Sequence, residues 1–243
     1  MVETNADVTT SPQAGAERVN SPLEGWLRSP ASEKSHALVP IRSLGANHRE
    51  RIAHHLLALD QHDRYLRFGF SANDEQIQRY ADSLNFERDE IFGIYNRRLH
   101  LLAMAHLAFS ADSSLHACAE FGVSVSKSAR GRGYGARLFD RAAMHARNDG
   151  VSRMFIHALS ENTTMLKIAR NAGAIVERDG SESEAHLYLP PATLDTRLTE
   201  LVAEQFAQAD YGFKVQVKQF WDVLAELQTL RRDVQDAQRT PLK

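Results

Sequence analysis

A chain of 243 residues, 43% of them hydrophobic, can build one full core with extensions. Its formal net charge of −2, from 29 basic and 31 acidic residues, gives no overall field to draw it to nucleic acid or to an anionic membrane. The single cysteine, Cys118, excludes an intramolecular disulfide and a cysteine-rich metal site and fits a reducing cytoplasm; no run long enough to span a membrane and no secretory signal pattern is present, so a cytoplasmic protein is expected.

Residues 1–35 are rich in Ser, Thr, Pro, Ala and Gly and lack apolar periodicity, so they are expected to form a disordered tail in which Trp26 and Leu27 are the exceptions. His36–Ile41 reads as a first strand. Ala46–Leu59 reads as a helix, with Ile52, His55, Leu56 and Leu59 on one face. His54, His55 and His62 have no carboxylate or cysteine at metal-ligand spacing, and no metal is expected. The stretch His62–Phe70, HDRYLRFGF, then precedes a second helix starting near Asn73. In it Arg64 and Arg67 interleave with Tyr65, Phe68 and Phe70. Two readings stay open: aromatics packed under a sheet with the arginines in ion pairs, or a cation–π and carboxylate-binding surface facing a substrate.

Glu90–Tyr95 and Leu99–Phe109 are apolar runs joined by a short polar connection, a hairpin pattern, and Ala117–Val125 makes a third antiparallel strand. Period two places His100 with His106 on one face, and Glu120 with Gly122 and Ser124 on another. Next comes a turn with Gly131, Gly133 and Gly135 on alternate positions, opening a helix that runs to about Asn148 with Leu138, Phe139, Ala142 and Ala146 at helical spacing. Glycines at the start of a helix let backbone N–H groups approach an anion closely, the helix dipole favours negative charge there, and Arg130 and Arg132 add fixed positive charge. That combination suits a pyrophosphate. Gly131, Gly133 and Ala136 also satisfy the G-x-G-x-x-A dinucleotide pattern, but the next strand, Met154–Ala158, ends in His157, Ala158 and Leu159 without the acidic residue that pattern requires. A helix capped near Ser160 and Asn162 and ended by Gly173 follows. A last hairpin pairs Ala174–Glu177 with Glu184–Leu189, and Pro190 and Pro191 close the domain. Beyond Ala192 no further strand is expected. Phe213, Val217, Phe220, Leu224, Leu227 and Val234 recur at helical spacing, an apolar face that must be buried on the domain itself or on a second subunit.

Arg130, Gly133 and Gly135 fill the pattern Q/R-x-x-G-x-G/A behind a strand ending V-x-V, and Asn162 opens a helix of the form N-x-x-(A/M). On these residues the chain resembles the GCN5-related N-acetyltransferases, the GNAT superfamily, over about Val39 to Pro190. The segment His62–Phe70 is similar to the S-x-R-x-R-F stretch of GNAT domains of the bacterial protein-acyltransferase type, although Asp63 stands where a serine is usual. The resemblance implies an α/β fold: a mixed, mostly antiparallel sheet flanked by helices, spanning 36–191, with 192–243 as a C-terminal helical extension. It implies acetyl-CoA as cosubstrate, held by Val123, Val125, Arg130, Gly131, Arg132, Gly133, Tyr134, Gly135, Ala136 and Asn162, with no metal. Glu120 matches the family's common base. His106 is the alternative, since imidazole titrates near neutrality, and with Arg64 and Arg67 it would border the acceptor. The family's usual tyrosine acid is replaced by Ala169, which leaves Tyr134, Cys118 or solvent to protonate the leaving thiolate. The resemblance implies acetyl transfer to a primary amine; a small amine is expected ahead of a protein lysine, toward which the His62–Phe70 similarity pulls, with a non-catalytic CoA-binding sensor as the competing class, and the apolar face of the C-terminal helix would serve a homodimer.

Overall fold

The computed structural model describes Val39–Ser110 and Cys118–Arg239. The expected tail, 1–35, and residues 36–38 of the first expected strand lie outside the described residues. Val39 onward belongs to one compact unit.

Among the described residues seven strands form one sheet: β1 (Arg42–Ser43), β2 (Glu90–Tyr95), β3 (Leu101–Phe109), β4 (Cys118–Val125), β5 (Arg153–Leu159), β6 (Ile175–Asp179) and β7 (Glu182–Tyr188), in the order β1-β2-β3-β4-β5-β7-β6. Every pair is antiparallel except β4 with β5. The mixed, mostly antiparallel sheet is the one expected, and the differences are local. The first strand lies at Arg42–Ser43, just beyond the predicted run that ends at Ile41, because Arg42 and Ser43 pair with Gly93 and Phe92 while Val39 and Ile41 only pack against the core. β3 starts at Leu101 and not at Leu99: the Asn96 side chain accepts from the N–H groups of Arg98 and His100, and this Asx-type turn takes Leu99 into the left-handed region at φ 60°. The last hairpin is tighter than predicted, since Gly180 at φ 58° lets Asp179 pair directly with Glu182.

The sheet alternates its side chains between two helical layers. On one face Phe92, Ala105, Leu107 and Phe121 meet Leu138, Phe139 and Ala142 of α4 (Tyr134–Asn148) and Leu166 and Ala169 of α5 (Thr163–Asn171). Phe121 and Phe139 pack edge to face with ring centroids 5.0 Å apart. On the other face Ile91 and Met104 meet Ile52 and Leu56 of α1 (Arg49–Leu57) and Ile77 of α3 (Asp74–Ser83). A capping box between Asn73 and Gln76 starts α3. His55 of α1 crosses to the sheet, bonding the Leu101 carbonyl at 3.1 Å and the Ser124 hydroxyl at 2.9 Å.

The segment expected to be a link between two helices contains a helix of its own, α2 (Gln61–Phe68). Its ends are locally encoded. Asp60 caps it by accepting from the Asp63 N–H at 2.9 Å, and Gly69 leaves it at φ 79°. This helix lies across β4 and β5 and so forms one wall of the cleft described below.

The chain ends in α6 (Leu194–Arg239), 46 residues long. Its inner side is held by polar contacts: Glu200 and Glu204 on Arg141, Glu200 on His145 at 2.6 Å, and Tyr211 stacked on the Arg42 guanidinium at 3.8 Å. Burial pulls the His145 pKa down, but the Glu200 carboxylate beside it outweighs that and holds it above the ordinary value. Leu194, Leu198, Leu201, Val202, Phe206 and Phe213 are exposed on the outer side. Among the described residues, no helix is long and apolar enough to cross a membrane.

Candidate active site

β4 and β5 pair only over Cys118–Glu120 and Arg153–Phe155. Beyond that point β4 continues to Val125 bonded to β3 alone, so its edge toward β5 carries alternate N–H and C=O groups with no strand opposite. The gap widens into a cleft of about 1300 Å³, lined by α2, the two parted strands, the start of α4, Asn162 and the β6–β7 hairpin.

At one end of the cleft lies the glycine turn. Gly131 (φ 74°) and Gly133 (φ 73°) both take the left-handed conformation, and Gly133 is the N-cap of α4 with no side chain to cap it. The first N–H of this region to find a backbone acceptor is that of Arg137, on the Gly133 carbonyl at 3.1 Å. Among the described residues, the N–H groups from Gly131 to Ala136 donate to no protein acceptor. Together with the positive end of a helix of 15 residues, they form a cradle for anionic oxygens. Gly135 is closely packed as well, since a Cβ there would come within 3.3 Å of the Ile168 Cδ1 and that methyl would have to give way.

The other residues expected at the cofactor divide. Val123, Val125, Tyr134, Gly135, Ala136 and Asn162 all line the cleft, and the Asn162 side chain also caps α5 by accepting from the Met165 N–H at 3.1 Å. Arg130 lines it too, but its guanidinium is paired with Asp63 of α2, a side chain 8% exposed. Arg132 lies outside the lining and is exposed.

Glu120 stands on the cleft wall where the strands part, exposed and, among the described residues, without hydrogen bond or ion pair. Ala169 is fully buried in the core, so that position offers the cleft no hydroxyl. Of the substitutes considered, Tyr134 lines the cleft, whereas Cys118 lies outside the lining beside Arg153 at 3.8 Å.

The three residues expected at the acceptor have different fates. Arg64 turns away from the cleft: its guanidinium donates to the carbonyls of Leu57, Leu59 and Ala72 and pairs with Asp74 at 2.7 Å, tying α2 to its neighbours. It is a structural residue here. Arg67 faces the cleft and lies on the backbone of Gly122. His106 sits behind Arg67, outside the lining, with both ring nitrogens engaged: Nδ1 with the Tyr80 hydroxyl at 2.8 Å and Nε2 with Asp89 at 3.1 Å. Burial lowers its pKa and the nearby Arg67 adds to this, against the pull of Asp89, so the ring is neutral near pH 7. Sequence reasoning missed Tyr80 and Asp89 altogether. Neither belongs to a motif, and only the fold brings them to residues 26 and 17 positions away.

A mostly antiparallel sheet whose one parallel pair splays beside an amide-lined helix start is an acyltransferase architecture. Residues 54–174 match the acetyltransferase (GNAT) family, and the chain belongs to the GNAT superfamily. Among solved structures it is similar to the GNAT domain of S. lividans PAT, with 19% identity and a TM-score of 0.53 over 61% of this chain and 89% of that one. It is similar also to an acetyltransferase of the GNAT family from Streptococcus pneumoniae, with 10% identity and a TM-score of 0.50 over 62% and 98%. No functionally curated protein matches the sequence.

Proposed function

We propose that the protein is an acetyl-CoA-dependent N-acetyltransferase that moves the acetyl group directly to a small primary amine in a ternary complex, with Glu120 as the base. The observation that carries this reading is that one cleft joins an amide cradle at the start of α4 to a partnerless carboxylate at the point where β4 and β5 separate.

The N–H groups from Gly131 to Ala136 suit the pyrophosphate of the cosubstrate, with Arg130 at their edge. The free edge of β4 around Val123 and Val125 supplies donors for the pantetheine arm and for the thioester oxygen as charge develops on it. Glu120 takes a proton from the incoming ammonium, directly or through a water, which frees the nitrogen lone pair to attack the thioester carbon. The C–S bond breaks with its electron pair on sulfur, and the thiolate takes a proton from Tyr134 or from solvent, since Ala169 offers none.

An amine panel with acetyl-CoA, including peptides and whole-lysate protein, tests the reading. Glu120→Gln is expected to lower turnover about 10²–10⁴-fold while leaving acetyl-CoA affinity nearly intact, because the base does not touch the pyrophosphate. Acetylation confined to protein lysines would replace the small amine. Binding of acetyl-CoA with no acetylation of any amine would make the domain a sensor.

We propose further that α6 joins two copies of the chain. Its domain-facing side is satisfied by polar contacts while six large apolar side chains are exposed on the other side, Leu194 at 82% and Phe213 at 67%. The helix continues with Val217, Phe220, Leu224 and Leu227 at spacings of four and three, a heptad seam. The six exposed side chains, at about 100 Å² each, would bury about 1200 Å² over two chains, within the range of a specific interface.

A further inference from the structure

We infer that the acceptor carries a carboxylate beside its amine and that Arg67 binds this carboxylate, held in place by a buried hydrogen-bond chain through Tyr80 and His106 to Asp89. The inference rests on the acetyltransferase reading and names the substrate class of the same cleft.

Arg67 reaches from the last turn of α2 onto β4. A Cβ on Gly122 would lie 2.7 Å from its Nη2 and 2.8 Å from its Cζ and Nη1, so the flat guanidinium rests directly on the strand and only glycine leaves it room. Behind it, Nη2 donates to the Tyr80 oxygen at 2.8 Å, and that oxygen is 2.8 Å from His106 Nδ1. With the imidazole neutral, the direction of each bond is forced. The Asp89 carboxylate can only accept, so the ring proton sits on Nε2 and goes to Asp89 at 3.1 Å; Nδ1 therefore accepts, and the Tyr80 hydroxyl, whose oxygen takes the Arg67 hydrogen, donates its own to Nδ1. Asp89, its side chain 2% exposed, closes the chain by accepting from Arg88 at 2.7 Å and from the Phe109 N–H at 3.2 Å. The charged groups bearing on His106 are Asp89, Arg67 and Glu120.

Such an anchor fixes an arginine that, among the described residues, has no carboxylate partner. Asp63, the acid on its own helix, is taken by Arg130. The Arg67 Nε is buried away from any ligand, whereas Nη1 has no partner among the described residues and the residue borders the cleft. A fixed fork of this kind matches a carboxylate in two-point geometry. Glu120 stands two residues from Gly122 on the same face of β4, about 7 Å along the strand. Glu177, Glu182 and Glu184 add negative charge on the opposite wall, where Arg178 is the cationic group and His157 lies 3.9 Å from Glu184. The cleft is thus polarised over a short span, cationic at α2 and acidic from Glu120 toward β7. An amine and a carboxylate separated by a few bonds, as in an amino acid, satisfy both ends.

The test uses the full chain with acetyl-CoA and matched pairs of acceptors: common α-amino acids and β-alanine, each against its decarboxylated amine. Wild type is expected to favour the carboxylate member at least about tenfold in kcat/KM. Arg67→Ala should erase that preference by raising the acceptor KM about 10–100-fold, with acetyl-CoA affinity unchanged by calorimetry. Gly122→Ala, which displaces the guanidinium without removing its charge, and Tyr80→Phe, which removes the anchor alone, should each raise the same KM to a lesser extent. Equal use of both members by wild type, or a preference that survives in Arg67→Ala, overturns the inference. So does a preference for a carboxylated acyl donor such as succinyl-CoA, which would put the anion on the acyl group. If no amine is acetylated, the acetyltransferase reading fails by itself. Calorimetric binding of the same pairs to the CoA-loaded protein then decides the role of Arg67: a carboxylate-dependent affinity lost in Arg67→Ala upholds it, and no such affinity ends it.

Discussion

Acidification should destabilise this protein through one residue above the others. His55 is 3% exposed, wedged between α1 and the β3–β4 pair. Burial, the largest influence, lowers its pKa; the hydrogen bonds to Leu101 and Ser124 offset part of this, and Arg67 and His54 push further in the same direction. The result is a pKa of about 4 against an ordinary 6.5. Between these values the unfolded chain binds a proton that the folded chain refuses. The neutral ring's contribution is therefore whole above about pH 6.5 and is lost as pH falls toward 4. At about 1.4 kcal/mol per pH unit the full interval amounts to about 3 kcal/mol, a large share of the stability of an ordinary domain. Urea unfolding of wild type and His55→Gln at pH values from about 7.5 to about 4.5 measures it. The variant should be less stable at the upper end, for want of the imidazole's packing, yet lose about 2–3 kcal/mol less on acidification. His48 and His106, whose pKa values burial also lowers, slope both curves alike and cancel in the difference. Parallel curves for the two proteins would refute the reasoning.

Gly133→Glu should weaken acetyl-CoA binding by more than tenfold in calorimetry. The position has φ 73° with open space around it, so alanine there costs only left-handed strain of about 1–2 kcal/mol, whereas glutamate adds a charge facing the phosphates; equal affinity in wild type and Gly133→Glu would remove the cradle assignment. For α6, Phe206→Glu with Phe213→Glu should convert a dimer to a monomer in light scattering while leaving the domain's melting temperature within a few degrees, because both side chains are exposed, at 43% and 67%. A wild-type monomer at micromolar concentration would sink the dimer proposal.

The glycine-turn end of the cleft was legible in the sequence because it is built from backbone. Left-handed glycines, a helix start and an asparagine cap are local features, and local chemistry alone fixes Gly131, Gly133 and Asn162. The same holds for the alternation that put Glu120, Gly122 and Ser124 on one face, and for the end of α5 at Gly173. The short helix α2 was encoded equally locally, by Asp60 and Gly69, but eight residues with mixed aromatic and basic character carry too little apolar period to announce a helix.

The end of the cleft beside α2 was not legible, because it is made of side chains that meet only through the fold. Arg64 and Arg67 sit three residues apart with the same chemistry, and the sequence offered both to a substrate. The turn of α2 sends one into the carbonyls at the end of α1 and lays the other on β4. His106 read as a base or an acceptor contact; register opposite Gly122 and the burial of Asp89 make it an internal link of a hydrogen-bond chain instead. The apolar period of α6 was plain in the sequence, but a period says only that a face must be covered. Which side of that helix meets its own domain is decided by where Arg141, His145 and Arg42 lie on other elements, and pairing Glu200, Glu204 and Tyr211 with them turns the apolar side outward.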